Sequence, residues 1–158
     1  MQLALYKGPA SKPMDRLIHW AVCLRTFSPY SHIEIVIGGV GADGLFTCYS
    51  SSGRDGGVRV KRIDLMSGHW DLLPWRADEA AVTEWFARHD GAGYDYLGLL
   101  AFVLPWRTES ARKLFCSEAL AAASGLTKPW VWTPGKLARY ARRQLAAARA
   151  GLGRQVSE

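Results

Sequence analysis

A chain of 158 residues, 49% hydrophobic and 22% charged, is long enough for one folded domain and too apolar for a disordered protein. The three cysteines show no CxxC spacing, which argues against a zinc site and against a disulfide framework. The longest apolar run, residues 97–106, is shorter than the roughly 20 residues that span a membrane. The net charge of +6 is concentrated after residue 135, which argues against a nucleic-acid-binding surface over the whole protein.

The N-terminus and the cysteine content indicate a compartment. The first eight residues contain no basic region followed by a long apolar stretch, so no secretory signal peptide is predicted. An odd number of cysteines without a disulfide pattern is typical of a reducing environment. We therefore expect a cytoplasmic protein with no transmembrane segment, no metal and no cofactor.

The first half of the chain predicts strands joined by turns, with one helix. Residues 3–6 favour a short strand, and residues 15–24 have the apolar spacing of a short helix. Residues 32–37 are rich in β-branched side chains and favour a strand that begins at a histidine. Two further strands, at 45–50 and 58–63, each follow a glycine-rich turn. The last three strands predict an antiparallel meander.

The next segment predicts one strand, one helix and an apolar stretch. Residues 70–74 favour a further strand, and residues 78–90 favour a helix with Asp78 as its N-cap. Residues 94–104 are aromatic and apolar throughout, so we expect them to be buried or to line a cleft.

Two helices are predicted after residue 115. The first begins at Cys116 and ends near Gly125, and the second begins at Pro134 and continues to about residue 150. The predicted fold is a single α+β domain over residues 1–150, with an antiparallel sheet packed against the helix that carries the cysteine. Residues 151–158 are expected to form a disordered tail.

Two short segments carry the residues of a cysteine nucleophile. His32 and Glu34 share one face of a predicted strand, where a carboxylate would orient the imidazole and stabilise its charged form. Cys116 begins a predicted helix, and a helix N-terminus favours a thiolate. The polar Ser117 and Glu118 that follow predict a helix start facing water.

Simpler interpretations of these residues stay open at this point. His32 and Glu34 also fit an ordinary strand with a surface carboxylate. Cys116 also fits a small core side chain, as Cys23 and Cys48 do. The interpretation as an enzyme depends on Cys116 and His32 meeting in space.

The motifs Ser31-His32-Ile33-Glu34 and Phe115-Cys116-Ser117-Glu118 resemble those of the circularly permuted branch of the papain-like NlpC-type amidases. That class includes the bacterial YiiX-like proteins and the lecithin:retinol acyltransferase group. In unpermuted members the cysteine helix precedes the histidine strand, whereas here His32 comes first. Tyr94-Asp95-Tyr96-Leu97-Gly98 resembles the segment that such proteins carry before the cysteine helix.

The resemblance implies a papain-like fold in which Cys116 is the nucleophile and His32 is the general base. Glu34 is the expected orienting residue, although relatives often place that group on the next strand. The polar candidates there are Thr47, Tyr49, Ser50 and Ser52. The backbone N–H of Cys116 would meet the oxyanion. Five residues are expected to lie near the cleft and to bind substrate or assist at the oxyanion: Tyr30, Tyr6, Ser50, Arg54 and Tyr94.

The resemblance implies a bacterial or prophage cysteine hydrolase that cleaves an amide bond of a small peptide, with cell-wall-derived peptides as one option. A thioester or lipid acyl hydrolase, or an acyltransferase of the same class, is a first alternative. A non-enzymatic module of a phage or secretion particle, binding through the basic C-terminal helix, is a second.

The last predicted helix is amphipathic and basic. Its apolar side, with Leu137, Tyr140 and Leu145, is expected to pack on the body of the domain, which leaves a solvated basic face. Contact of that face with an anionic surface stays open as an alternative.

Overall fold

The computed structural model describes residues 1–8, 13–93 and 115–155. The strands of these ranges are β1 (Gln2–Tyr6), β2 (His32–Ile37), β3 (Phe46–Ser52), β4 (Gly57–Ile63) and β5 (Trp70–Pro74). Their α-helices are α1 (Pro13–Thr26), α2 (Glu79–Arg88), α3 (Cys116–Ala123) and α4 (Pro134–Gln155). The chain is therefore α+β in these ranges, as the sequence predicts.

One antiparallel sheet contains all five strands in the order β4-β3-β2-β1-β5. The predicted meander of β2, β3 and β4 is confirmed, because these strands are consecutive neighbours. The sequence did not indicate that β1 lies between β2 and β5. In this register Tyr6 lies opposite both His32 and Trp70.

The alternation of side chains along the strands separates two apolar clusters. On one face, the buried residues of β1 and β2, including Leu5 and Ile33, join the main core with α2, α3 and α4. The other face carries a smaller cluster that includes Ala4, Val36 and Cys48. Cys48 is thus a core thiol, as its place in mid-strand predicts.

The predicted boundaries agree closely except at the helix ends. The Asp78 side chain accepts a hydrogen bond from the Ala81 N–H at 3.1 Å, which confirms it as the N-cap of α2. The helix predicted at 15–24 is longer, because α1 extends from Pro13 to Thr26. The final helix also continues to Gln155, five residues past its predicted end at about residue 150, so residues 151–155 of the predicted disordered tail are helical. The predicted apolar stretch at 94–104 lies outside the described residues.

Helix α4 packs on the body through one side. Leu137, Ala138 and Ala141 are buried, and the Tyr140 ring contacts Trp75 and Trp132 with centroids 5.8 and 5.4 Å away. The expected packing face is therefore confirmed at Leu137 and Tyr140, whereas Leu145 is half-buried. Five basic side chains of this helix are exposed: Lys136, Arg139, Arg142, Arg143 and Arg149. No helix in the described part of the chain is long and apolar enough to cross a membrane.

Candidate active site

Cys116 is the first residue of α3 and is 6% exposed. Phe115 occupies the N-cap position without a side-chain cap. The first N–H groups of any helix have no acceptor within the helix, and their partial positive charge favours an anion beside them. The side chain of Cys116 therefore lies at the positive end of the helix dipole.

The sequence predicted that the start of α3 faces water, but in the structure it is buried. Ser117 is buried, and its hydroxyl donates a hydrogen bond to the Trp132 carbonyl at 2.9 Å. This contact ties the first turn of the helix to the loop before α4. The polar residue after the cysteine is therefore a tertiary anchor.

Cys116 and His32 meet, although 84 positions separate them in the sequence. The two side chains are hydrogen-bonded to one another. The other side of the imidazole is occupied, because His32 Nε2 lies 2.7 Å from Glu34 Oε1. Nδ1 is therefore the ring nitrogen that is available to interact with the sulfur of Cys116.

The charges around His32 favour its protonated form. Burial lowers the pKa of His32, but the negative charge of Cys116, the hydrogen bond to it, and the contact with Glu34 outweigh burial and raise that pKa to about 10. His32 consequently keeps its proton at neutral pH. The site therefore has a protonated imidazole beside the side chain of Cys116.

Glu34 is completely buried and remains charged because Arg59 binds both of its oxygens. Arg59 Nη1 donates to Oε2 and Nη2 donates to Oε1, each at 2.6 Å. Burial raises the pKa of Glu34, but the hydrogen bonds from Arg59 and His32 lower it below its usual value on balance. The carboxylate is thus held in one orientation against the imidazole.

The ionic chain continues from Arg59 to the surface. Arg59 Nε donates to Asp55 Oδ2 at 2.9 Å, and Lys61 Nζ donates to Asp55 Oδ1 at 2.7 Å. Burial raises the pKa of Asp55, but these bonds lower it to about 2. Charges of opposite sign therefore alternate from the imidazolium of His32 to the ammonium of Lys61.

Arg59 is the residue that sequence reasoning missed. It lies on β4 opposite Ser50 of β3, between two apolar residues of an alternating strand. That alternation indicates which face Arg59 occupies. It does not reveal that the carboxylate of Glu34, from another strand, lies on the same face.

Two tyrosines were expected near the substrate. Tyr30 is buried, and its hydroxyl donates to Asp71 Oδ2 at 2.7 Å while accepting from Arg142 at 2.9 Å. These contacts link Tyr30 to β5 and α4 and give it a structural role. Tyr6 lies beside the site, since its ring and the His32 ring both contact Trp70, with centroids 5.0 and 6.4 Å away.

The remaining predicted substrate-binding residues are spread over other parts of the chain. Ser50 is buried and donates to the Ile33 carbonyl at 2.7 Å, so it supports the strand between His32 and Glu34. Arg54 is exposed on a short 3-10 turn, Gly53–Asp55, between β3 and β4. Tyr94 lies outside the described residues.

The sequence left open that a polar residue of β3 contacts the imidazole of His32. Thr47 accepts from Arg62 at 2.8 Å, and the Tyr49 ring packs against Phe86. Glu34 itself makes that contact. Within residues 1–8, 13–93 and 115–155, no three His, Cys, Asp or Glu side chains are grouped as a metal site.

Comparison of the chain with known protein families finds no family model that matches, and comparison with curated proteins finds none of significant similarity.

Proposed function

We propose that this protein is a cysteine hydrolase that cleaves an amide bond of a small peptide through an acyl-enzyme on Cys116. One observation carries the proposal: Cys116 at the start of α3 is hydrogen-bonded to His32, whose Nε2 lies 2.7 Å from the buried Glu34. A nucleophile, a base and an orienting group in mutual contact are the parts that covalent acyl transfer requires.

Acylation begins when the Cys116 thiolate attacks the carbonyl carbon of the substrate. A C–S bond forms, and the carbonyl π electrons move to oxygen. The oxyanion is stabilised by backbone N–H groups at the start of α3. As the tetrahedral intermediate collapses, the C–N bond breaks and the His32 imidazolium gives its proton to the leaving amine.

Deacylation uses the neutral imidazole that the first step leaves behind. His32 takes a proton from water while the water oxygen attacks the acyl carbon. The C–S bond then breaks, the carboxylic acid leaves, and the thiolate and imidazolium are restored. The net reaction adds one water across one amide bond.

Glu34 and Arg59 act on the imidazole rather than on the substrate. Glu34 accepts a hydrogen bond from the Nε2–H group of His32, which keeps Nδ1 directed to the sulfur and stabilises the charged ring. Arg59 prevents Glu34 from taking up a proton or turning away, since both carboxylate oxygens are engaged.

We further propose that the domain is a circularly permuted papain-like fold. The order of histidine strand before cysteine helix, together with an antiparallel sheet packed on that helix, supports this assignment. The peptide substrate, with cell-wall-derived fragments as one option, follows from the resemblance to that class and not from the geometry.

The test is trapping of the acyl-enzyme by mass spectrometry. The protein is incubated with a panel of activated peptide amides and acyl thioesters, since the same nucleophile serves both bond types. We expect an adduct on Cys116 that disappears in Cys116→Ala. Cys23→Ser is the matched control and should retain the adduct. Full turnover by Cys116→Ala overturns the mechanism, and an inert Cys116 in the folded protein favours a binding module.

A further inference from the structure

Helix α1 exposes an apolar stripe that the proposed reaction does not use. Its residues are Leu17, Trp20, Leu24 and, directly after the helix, Phe27, with exposures of 65%, 61%, 68% and 92%. Spacings of three and four residues place them along one side of the helix. Contiguous exposed side chains of this size mark a binding surface more often than scattered single ones do.

The conformation of Phe27 strengthens this interpretation. Phe27 has a φ of 47°, in the left-handed region where glycine is favoured after a helix. Its N–H donates to the Leu24 carbonyl and the Ser28 N–H donates to the Cys23 carbonyl, as at a helix C-terminus. Among the described residues, neither helix capping nor packing accounts for the exposed phenyl ring.

Basic side chains adjoin the stripe. Arg16 precedes Leu17 and is exposed, and no acidic residue occurs in α4. Ser28, next to Phe27, packs on the backbone of Gly135 in that helix, and Arg139 reaches the same position. Phe27 therefore lies close to the exposed basic face of α4.

We propose that the α1 stripe docks on the surface of a bilayer that carries anionic headgroups. Leucine and aromatic side chains enter the headgroup boundary, while adjoining arginines and lysines bind the lipid phosphates. Charge argues against a second copy of this chain as the occupant. Two α1 stripes in contact would bring Arg16 and the basic face of α4 of both copies together.

The test is co-sedimentation of the full chain with vesicles. One set is phosphatidylcholine alone, and the other contains about one third phosphatidylglycerol, which supplies the negative surface potential. We expect binding to the anionic vesicles that weakens as salt is added. Trp20→Ser should lower the partition coefficient on the order of tenfold, while Trp130→Ser, which alters an exposed tryptophan elsewhere, should leave it unchanged.

Phe27→Gly separates docking from misfolding. Glycine removes the strain at this position, so the variant should be at least as stable as the parent and yet bind anionic vesicles several-fold more weakly. Arg139→Glu should weaken binding by about fivefold or more without affecting neutral vesicles.

Three results would overturn the proposal: absence of binding to the anionic vesicles, equal losses in Trp20→Ser and Trp130→Ser, or a dimer in solution that Trp20→Ser dissociates. The readout is binding, so Cys116→Ala should bind like the parent. The proposal that the α1 stripe docks on a bilayer and the catalytic proposal are therefore tested independently.

Discussion

Arg59 of β4 binds both oxygens of Glu34 on β2, although β3 lies between these two strands. The arginine spans the intervening strand at Ser50, its partner in the β3–β4 ladder, whose side chain is small. This reach fixes a charged carboxylate in a fully buried place against His32. The geometry of the candidate site therefore depends on the packing of three strands.

The three cysteines should differ in reactivity. We expect iodoacetamide to alkylate Cys116 fastest near pH 7, because the protonated imidazole of His32 and the start of α3 lie beside its side chain. Burial raises the pKa of the Cys23 thiol and raises that of Cys48 to about 12, so both should react slowly. Peptide mapping by mass spectrometry measures each rate. His32→Ala should slow Cys116 at least tenfold, and an unchanged rate would remove the ion pair from the mechanism.

Replacement of Arg59 should damage both stability and catalysis. Arg59→Met leaves the buried Glu34 without its main partner, so we expect a loss of about 3–5 kcal/mol in the free energy of unfolding, measured in urea. Arg59→Lys keeps the charge but not the paired hydrogen bonds, so it should lose less stability while kcat falls.

Arg62→Met is the matched control, because Arg62 binds Asp43 and Thr47 at the surface. Exposed pairs contribute about 1 kcal/mol or less, and the control should stay within that range. Equal losses in Arg59→Met and Arg62→Met would show that Arg59 contributes no more than an ordinary surface charge.

Stability should decline on both sides of a plateau set by His32 and Glu34. The pKa of His32 is raised from 6.5 to about 10 in the folded protein, so its contribution is present below pH 6.5 and is lost as pH rises through about 10. The pKa of Glu34 is lowered from 4.5, so its contribution is present above pH 4.5 and is lost as pH falls. Urea unfolding across this pH range measures both limbs.

Two variants test which side chain causes the alkaline decline in stability and which causes the acid decline. Cys116→Ser removes the side chain whose negative charge helps to raise the pKa of His32, so the alkaline decline should be smaller and should end at lower pH. Glu34→Gln has no carboxylate to protonate, so its acid decline should be smaller than in the parent. An alkaline limb unmoved by Cys116→Ser would contradict the coupling between the two side chains.

Gly57→Ala should disrupt the start of β4. The added Cβ would meet the Ala92 carbonyl oxygen at 1.9 Å, and Gly57 has a φ of 151°. We expect a loss of ~3 kcal/mol in the free energy of unfolding, with lower activity because Arg59 follows two residues later. Gly39→Ala is the control, since its Cβ meets no atom within 4 Å. Similar stabilities of the two variants would contradict the close approach of Gly57 to Ala92.

Local patterns were sufficient for the strands, for the N-cap at Asp78 and for the pairing of His32 with Glu34. Residues two apart on a strand share a face whatever the rest of the chain does, so that pairing needed no tertiary information. The helix start at Cys116 was equally local, because the polar pair Ser117-Glu118 and an alanine-rich run follow it directly.

Contacts between distant segments were decided by tertiary structure alone. The apposition of Cys116 with His32 and the reach of Arg59 to Glu34 join residues 84 and 25 positions apart. Burial of Ser117 against Trp132 likewise reversed a prediction that looked only at neighbouring residues. Sequence periodicity reports which face a side chain occupies, whereas the partner on that face is set by strand order and packing, which depend on the whole chain.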